Sequence, residues 1–151
     1  MPNIKQSKLD SLLRAAEVSC ADNGARLTQR RRQVLSVLIQ SSSPLSAYEV
    51  LDLCNRSATS AMPAMSVYRI LDFLEQQLLV HRLSTSNKYV SCAHIACDHK
   101  HFQATHFLLC EGCSSVEEVD ATQEASDALE QMAETVGFKL TTQQFELSGI
   151  C

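Results

Sequence analysis

Between Cys92 and Glu118 the chain reads C-A-H-I-A-C-D-H-K-H-F-Q-A-T-H-F-L-L-C-E-G-C-S-S-V-E-E, a stretch holding four of the seven cysteines and four of the five histidines. Thiolates and imidazoles at this density are ligands for a borderline-soft ion such as zinc. Cys110-Glu111-Gly112-Cys113 has the spacing at which two thiolates grip one tetrahedral ion from a tight turn. Gly112 is expected to give that turn its backbone freedom. The rest of the chain is expected to be organised around this stretch.

Disulfide pairing is the other use for so many thiols. The cysteine count is odd, the spacing is metal-like, and residues 1–20 lack the apolar core of a signal peptide. A reducing cytoplasm is therefore expected, and no apolar run approaches the length of a membrane span. At 151 residues the chain fits two small domains, which need a metal or a partner copy for stability.

The net charge of −4 conceals an asymmetry. Residues 1–90 hold eleven Lys/Arg against seven Asp/Glu, while residues 91–151 hold two against ten. A basic, phosphate-facing module followed by an acidic module is the implied organisation, so the acidic total does not exclude nucleic acid.

Along the first half, apolar residues recur at helical spacing. Leu9, Leu12, Leu13 and Ala16 mark a first helix ending near Asn23-Gly24. Thr28 caps a second through Gln40, with Val34, Leu35 and Leu38 inward and Arg30, Arg31 and Arg32 in its first turn, where cations oppose the helix dipole and phosphate would offset them. Ser46 and Glu49 form a capping box for a third helix running through Leu53 or Cys54, with Leu45 and Val50 as its staple. Pro63 is placed as the first residue of a fourth helix, with Val67, Ile70, Leu71 and Leu74 inward and Met65, Arg69, Asp72 and Gln76 outward. A short helix, a turn and a second helix with an outward Arg is how a helix-turn-helix addresses the major groove, where Arg69 suits a bidentate contact to guanine. Residues 78–83 and 87–92 are strand candidates around Ser84-Thr85-Ser86, so a winged helix is expected, ending at Cys92.

In the second half, Phe107 to Leu109 and Val116 to Val119 flank the Cys-x-x-Cys turn as strands. Thr122 begins a helix with Ala125, Ala128, Leu129, Met132 and Val136 expected inward, closed by Gly137. Residues 138–142 and 144–147 have strand character. A unit this small is expected to bury its spare apolar face against a copy of itself.

Taken together, R-L-T-Q-R-R-R-Q-V-L (26–35), L-S-A-Y-E-V-L-D-L (45–53), S-V-Y-R-I-L-D-F-L (66–74), L-V-H-R (79–82), Y-V-S-C (89–92) and C-E-G-C-S-S-V-E-E (110–118) resemble the ferric uptake regulator family, most closely its zinc uptake regulator branch. The resemblance covers nearly the whole chain in order, and S-A-Y-E with Y-V-S-C favours the zinc branch over the iron and peroxide branches. It implies an α+β protein: an N-terminal winged helix-turn-helix domain (1–91), a hinge and metal-ligand loop (92–104) and a small α/β dimerisation domain (105–151). It implies a homodimeric repressor of zinc-uptake genes, bound to double-stranded operator DNA and holding two Zn2+ per protomer.

By the same resemblance, Cys110, Cys113 and Cys151 hold the structural ion. The family pattern closes with a second Cys-x-x-Cys, whereas this sequence stops at Cys151, leaving the fourth position to a longer chain, a water or Cys97, or unfilled. The regulatory ion falls to His81, Cys92, a loop histidine and Glu118. The interval from Cys92 to Cys110 is longer than the family pattern, so the loop histidine is His101 ahead of His99, with His94 and His106 behind. Arg69, Tyr68, Tyr48, Arg31 and Ser66 are the expected DNA contacts.

Two other classes compete. A zinc hydrolase or deaminase needs H-E-x-x-H, or H-x-E followed by P-C-x-x-C, and neither motif occurs, so no enzymatic activity is expected. A family member sensing iron or peroxide through metal or thiol chemistry is the alternative reading, with Cys110 and Cys113 oxidising.

Overall fold

The computed structural model describes residues 4–56, 59–97 and 105–151. The chain divides into two compact units, Met1–Cys97 and Asp98–Cys151.

The first unit runs α1 (Gln6–Asp22), α2 (Gln29–Gln40), α3 (Ala47–Arg56) and α4 (Ala64–Gln76), then an antiparallel hairpin of β1 (Val80–Leu83) and β2 (Lys88–Ser91). Each helix lays one apolar stripe into a shared core: Leu9, Leu13, Ala16 and Cys20 from α1, Val34, Leu35, Leu38 and Ile39 from α2, Val67, Ile70, Leu71 and Leu74 from α4. Sequence chemistry sets the starts. The Thr28 hydroxyl accepts from the Arg31 N–H at 3.5 Å. At α3 the Ser46 N–H donates to Glu49 Oε2 at 2.6 Å, and the Glu49 N–H donates back to Ser46 Oγ at 3.2 Å. That capping box, through its Ser46 backbone bond first, holds the Glu49 carboxyl below the ordinary carboxylate range. The staple residues Leu45 and Val50 are both buried.

Two boundaries differ from expectation. The third helix continues to Arg56. Pro63 is the cap before the fourth helix rather than its first residue, with ψ 148 in the extended region and its carbonyl already accepting from Ser66 and Val67. The hairpin is tied back to the start of α3 by Leu45 and Tyr89, which exchange backbone hydrogen bonds of 3.0 and 2.8 Å, and by Lys88 and Glu49 at 3.5 Å. Helices closed by a hairpin docked on the third of them make a winged helix.

At the end of α4, Leu78 adopts φ 57 while its N–H bonds the Glu75 carbonyl and the Leu79 N–H bonds that of Leu74. This is the left-handed helix terminus where glycine is usual, and the Leu78 side chain is 50% exposed, so little packing offsets the strain. Leu78→Gly is expected to stabilise the first unit by about 0.5–1 kcal/mol, read as a rise of a few degrees in its thermal midpoint.

The second unit comprises β3 (Thr105–Cys110), β4 (Val116–Asp120), α5 (Gln123–Thr135) and β5 (Phe145–Gly149). The sheet order is β4-β3-β5, with β4 antiparallel and β5 parallel to β3. Phe107, wholly buried, fills the middle of the central strand. Residues 138–142 do not form the expected strand: the chain spends this segment returning from α5, whose end is marked by Gly137 at φ 73, to the start of β5. The face of α5 also differs. Ala133 is buried and Ser126 and Leu129 are half-buried, while Ala125 and Ala128 are exposed, and Met132 and Val136 are 63% and 77% exposed. A three-stranded sheet is too narrow to cover the broader stripe, which faces away from the unit's own core.

Candidate functional site

Cys110 ends β3, and the turn that follows is stitched by Cys110 N–H to the Ser115 carbonyl and Ser114 N–H to the Cys110 carbonyl, both at 2.9 Å. The residue taking the left-handed conformation here is Ser114, at φ 60, not Gly112. A Cβ at Gly112 would meet the Cys110 sulfur at an ordinary 3.7 Å, so the turn does not demand glycine there. The parallel pairing of β5 places Gly149 beside Cys110 and carries Cys151 over the turn. Cys151 Sγ then lies 3.3 Å from Cys110 Sγ and 3.6 Å from Cys113 Sγ, with the Ser115 hydroxyl 3.1 Å from Cys113. Strand, turn and returning strand thus converge three sulfurs, all within 4.8 Å of one another.

The electrostatics of this trio are those of a ligand set sharing protons. Backbone N–H groups of Cys151 and Cys113, then the Cys151 thiol, bring Cys110 down to about 6. Cys151, whose side chain hydrogen-bonds Cys110 first and Cys113 next, is pushed up to about 11. At neutral pH Cys110 is already the thiolate a metal takes, while Cys151 has to give up a proton on binding. Any metal affinity of the trio would therefore fall as pH drops towards 6, where a proton competes for Cys110 as well.

A second set begins in the first unit. His81 stands on β1, half-buried, and Cys92 follows β2 with 4% exposure, its N–H bonded to the Leu79 carbonyl at 2.9 Å. The hairpin register brings the His81 and Cys92 ligand atoms within 4.8 Å. The turn after Cys92 aims the His94 N–H at the Cys92 sulfur, 3.4 Å away. Glu118 belongs to the second unit, half-buried on β4 opposite Phe107. His99 and His101 lie outside the described residues. His106 is on a strand rather than in the loop: it is 8% exposed, packs edge-on to Phe145 with centroids 5.0 Å apart, and neither ring nitrogen has a hydrogen-bond partner among the described residues. Paired with Val119, it projects from the opposite face of the sheet to Phe107 and Glu118.

Cys20 and Cys54 are core residues instead. Both are buried in the helical core, which raises their thiols above the ordinary value.

On the exposed side of α4, Met65, Tyr68, Arg69, Asp72 and Gln76 face solvent and Ser66 is half-buried. Tyr68 meets Tyr48 of α3 edge to face at 6.3 Å, so the two helices present one aromatic corner. Arg31 stands 3.5 Å over the Phe73 ring while Nη1 donates to the Arg26 carbonyl at 2.6 Å, which steadies its guanidinium rather than leaving it in open solvent. Sequence patterning missed Asn55, whose side chain bonds the backbone of Met62 just before α4. An asparagine near a helix end has no periodicity to betray it.

Residues 22–148 match the ferric uptake regulator family. The chain is 33% identical over 151 residues to the zinc uptake regulation protein of Escherichia coli (strain K12), covering 98% of this chain and 84% of that protein. Among solved structures it is similar to holo XcZur, with TM-score 0.77 and 33% identity across 94% of this chain and 95% of that one. It is also similar to a zinc uptake regulator complexed with zinc and DNA, with TM-score 0.80 and 31% identity across 95% and 92% of the two chains. With its winged helix, its converging thiols and a match spanning both units, the chain belongs to the ferric uptake regulator family.

Proposed function

We propose that the chain is a zinc-responsive, DNA-binding transcriptional repressor of zinc-uptake genes, working in the cytoplasm as a homodimer on double-stranded operator DNA. The observation that carries this is the thiol and imidazole of Cys92 and His81, ligand atoms within 4.8 Å at the base of the hairpin. They occur in a chain similar over 95% of its length to a zinc uptake regulator complexed with zinc and DNA.

The donor chemistry fits zinc. His81, Cys92 and Glu118, joined by His101, would offer a mixed nitrogen, sulfur and oxygen tetrahedron, and the thiolate disfavours harder ions. His99 and His94 are the alternatives for the loop position; His106 is set aside because its side chain leaves the sheet on the face opposite Glu118. Cys110, Cys113 and Cys151 would hold a second, structural ion, making two per protomer. When bound, zinc would supply a cross-link among the side chains that hold it. His81 and Cys92 belong to the unit that carries α4 and Glu118 to the other. Ligands drawn from both would favour the form of the dimer in which the two α4 helices match half-sites of a two-fold operator. Arg69 reads a guanine edge, Tyr68 touches a pyrimidine methyl, and Tyr48, Ser66 and Arg31 hold phosphate.

The test is a gel shift on a duplex selected by the zinc-loaded protein from a randomised pool, with and without a zinc chelator. Chelation is expected to weaken binding by about a hundredfold, zinc but not magnesium restoring it, and by linkage the duplex should raise zinc affinity by the same factor. DNA affinity indifferent to chelation removes the zinc response.

A further inference from the structure

α3 ends at Arg56 and α4 opens after Pro63, so the position of α4's first turn depends on how the intervening chain is held. The hydrophobic stripe of α4 begins only at Val67, one turn in, and leaves the opening residues without a core anchor. Just before the helix the buried Met62 side chain anchors the chain to the core, and one further side chain fixes its backbone. Asn55 Oδ1 accepts the Met62 N–H at 2.7 Å, and Asn55 Nδ2 donates to the Met62 carbonyl at 3.2 Å. The amide thereby pairs with both backbone groups of one residue, as a neighbouring strand would. Met62 is itself buried, 5% exposed, and is followed directly by the Pro63 cap. From the other side, Gln33 Nε2 donates to the Cys54 carbonyl at 2.9 Å and holds the end of α3 to α2. A relay of two side-chain amides therefore runs from α2 through the end of α3 to the threshold of α4. It ties the last turn of α3 directly to the residue before Pro63, across seven positions of sequence.

We propose that Asn55 is a positioning residue for base readout, setting the axial placement of the first two turns of α4 and hence the reach of Tyr68 and Arg69. This rests on α4 being the DNA-reading helix. Asn55 touches no base; it acts through Met62 and Pro63. A bidentate Arg–guanine pair tolerates little displacement, whereas attraction to phosphate hardly changes with sub-ångström shifts. Loss of the relay should therefore lower discrimination between sequences and spare general affinity for duplex DNA.

The experiment uses the full chain loaded with zinc and two probes: the duplex it selects from a randomised pool and a scrambled duplex of the same composition. Asn55→Asp keeps the acceptor for the Met62 N–H but sets a carboxylate oxygen against the Met62 carbonyl; Asn55→Ala removes both bonds. Both are expected to lower the ratio of selected to scrambled affinity by about tenfold. Affinity for the scrambled duplex, its salt slope and zinc content should stay unchanged. Met62→Ala, which loses buried side chain but keeps the backbone groups Asn55 holds, should lower the thermal midpoint and leave the ratio intact, separating placement from mere stability. A ratio within about twofold of the unmodified protein's in Asn55→Ala, measured where Arg69→Ala collapses it, overturns the role of Asn55 and leaves α4 as the reader. A ratio unmoved by Arg69→Ala overturns the reading of α4 and the inference with it.

Discussion

Replacing Cys110 by serine is expected to strip one zinc per chain from the purified protein and to abolish cooperative unfolding of the second unit. Three sulfurs converge there, with 3.3 and 3.6 Å between Cys151 and its two neighbours, while α5 itself buries just Ala133 fully. A structural zinc is worth on the order of 10 kcal/mol in small zinc-dependent folds, comparable to the whole stability of an ordinary domain. A unit of this size has no reserve to replace it. The first unit has its own helical core, so its melting should persist as a separate transition. Metal analysis and differential scanning calorimetry on Cys110→Ser check both effects. Cys97→Ser is the matched control: its thiol is exposed and it joins no three-ligand group among the described residues. Full zinc retention in Cys110→Ser would contradict the structural site, and loss of the same ion in Cys97→Ser would name Cys97 as its fourth ligand.

The second large effect belongs to Cys92. Cys92→Ser is expected to leave the structural zinc in place and to abolish zinc-dependent binding of the selected duplex, a loss of about a hundredfold. It should bind that duplex no better with zinc than the unmodified protein does under chelator. The buried thiol is the one sulfur donor in the proposed regulatory set, and a serine hydroxyl is a far weaker zinc ligand at neutral pH. His81→Ala should behave alike, since its ligand atom lies within 4.8 Å of that thiol. Zinc-stimulated binding at normal strength in both variants would move the response elsewhere in the chain.

How much of this could be read in advance depended on whether the cause was local. Caps were legible because they are short-range chemistry: Thr28, Thr122 and the Ser46–Glu49 pair all do what their spacing implies. The stripes of α2 and α4 were legible because each packs on other helices of its own unit. The stripe of α5 was misjudged because periodicity says which residues share a face but not what covers it, and the narrow sheet reaches only Ala133 fully. Residues 138–142 have strand propensity, but the segment serves as the return from α5 to β5, a route that is visible only once the order of the elements in space is known. In the candidate sites, the Cys-x-x-Cys pair was plain from spacing, and Cys151 came from family likeness because a ligand 38 residues beyond Cys113 carries no local signature. Gly112 was assigned a conformational role that Ser114 performs, since a turn's sequence does not say which residue takes positive φ. Asn55 gave no signal because its partner is backbone, which every residue offers.

The parallel pairing of β5 with β3 also has a consequence for how the protein is made. Two parallel strands cannot zip from a tight turn; here the chain must first complete β4, all of α5 and the return segment. On the ribosome the helical unit can fold as soon as it emerges, but the sulfur trio cannot exist until Cys151 has been synthesised. Each newly made chain therefore passes through a period in which Cys110 and Cys113 wait, exposed to oxidants and competing ions, for a thiol delivered last. If the proposed structural ion binds there, it would be a late step in making the protein, and cells starved of zinc should accumulate chains with a finished first unit and an unsecured second, open to proteolysis.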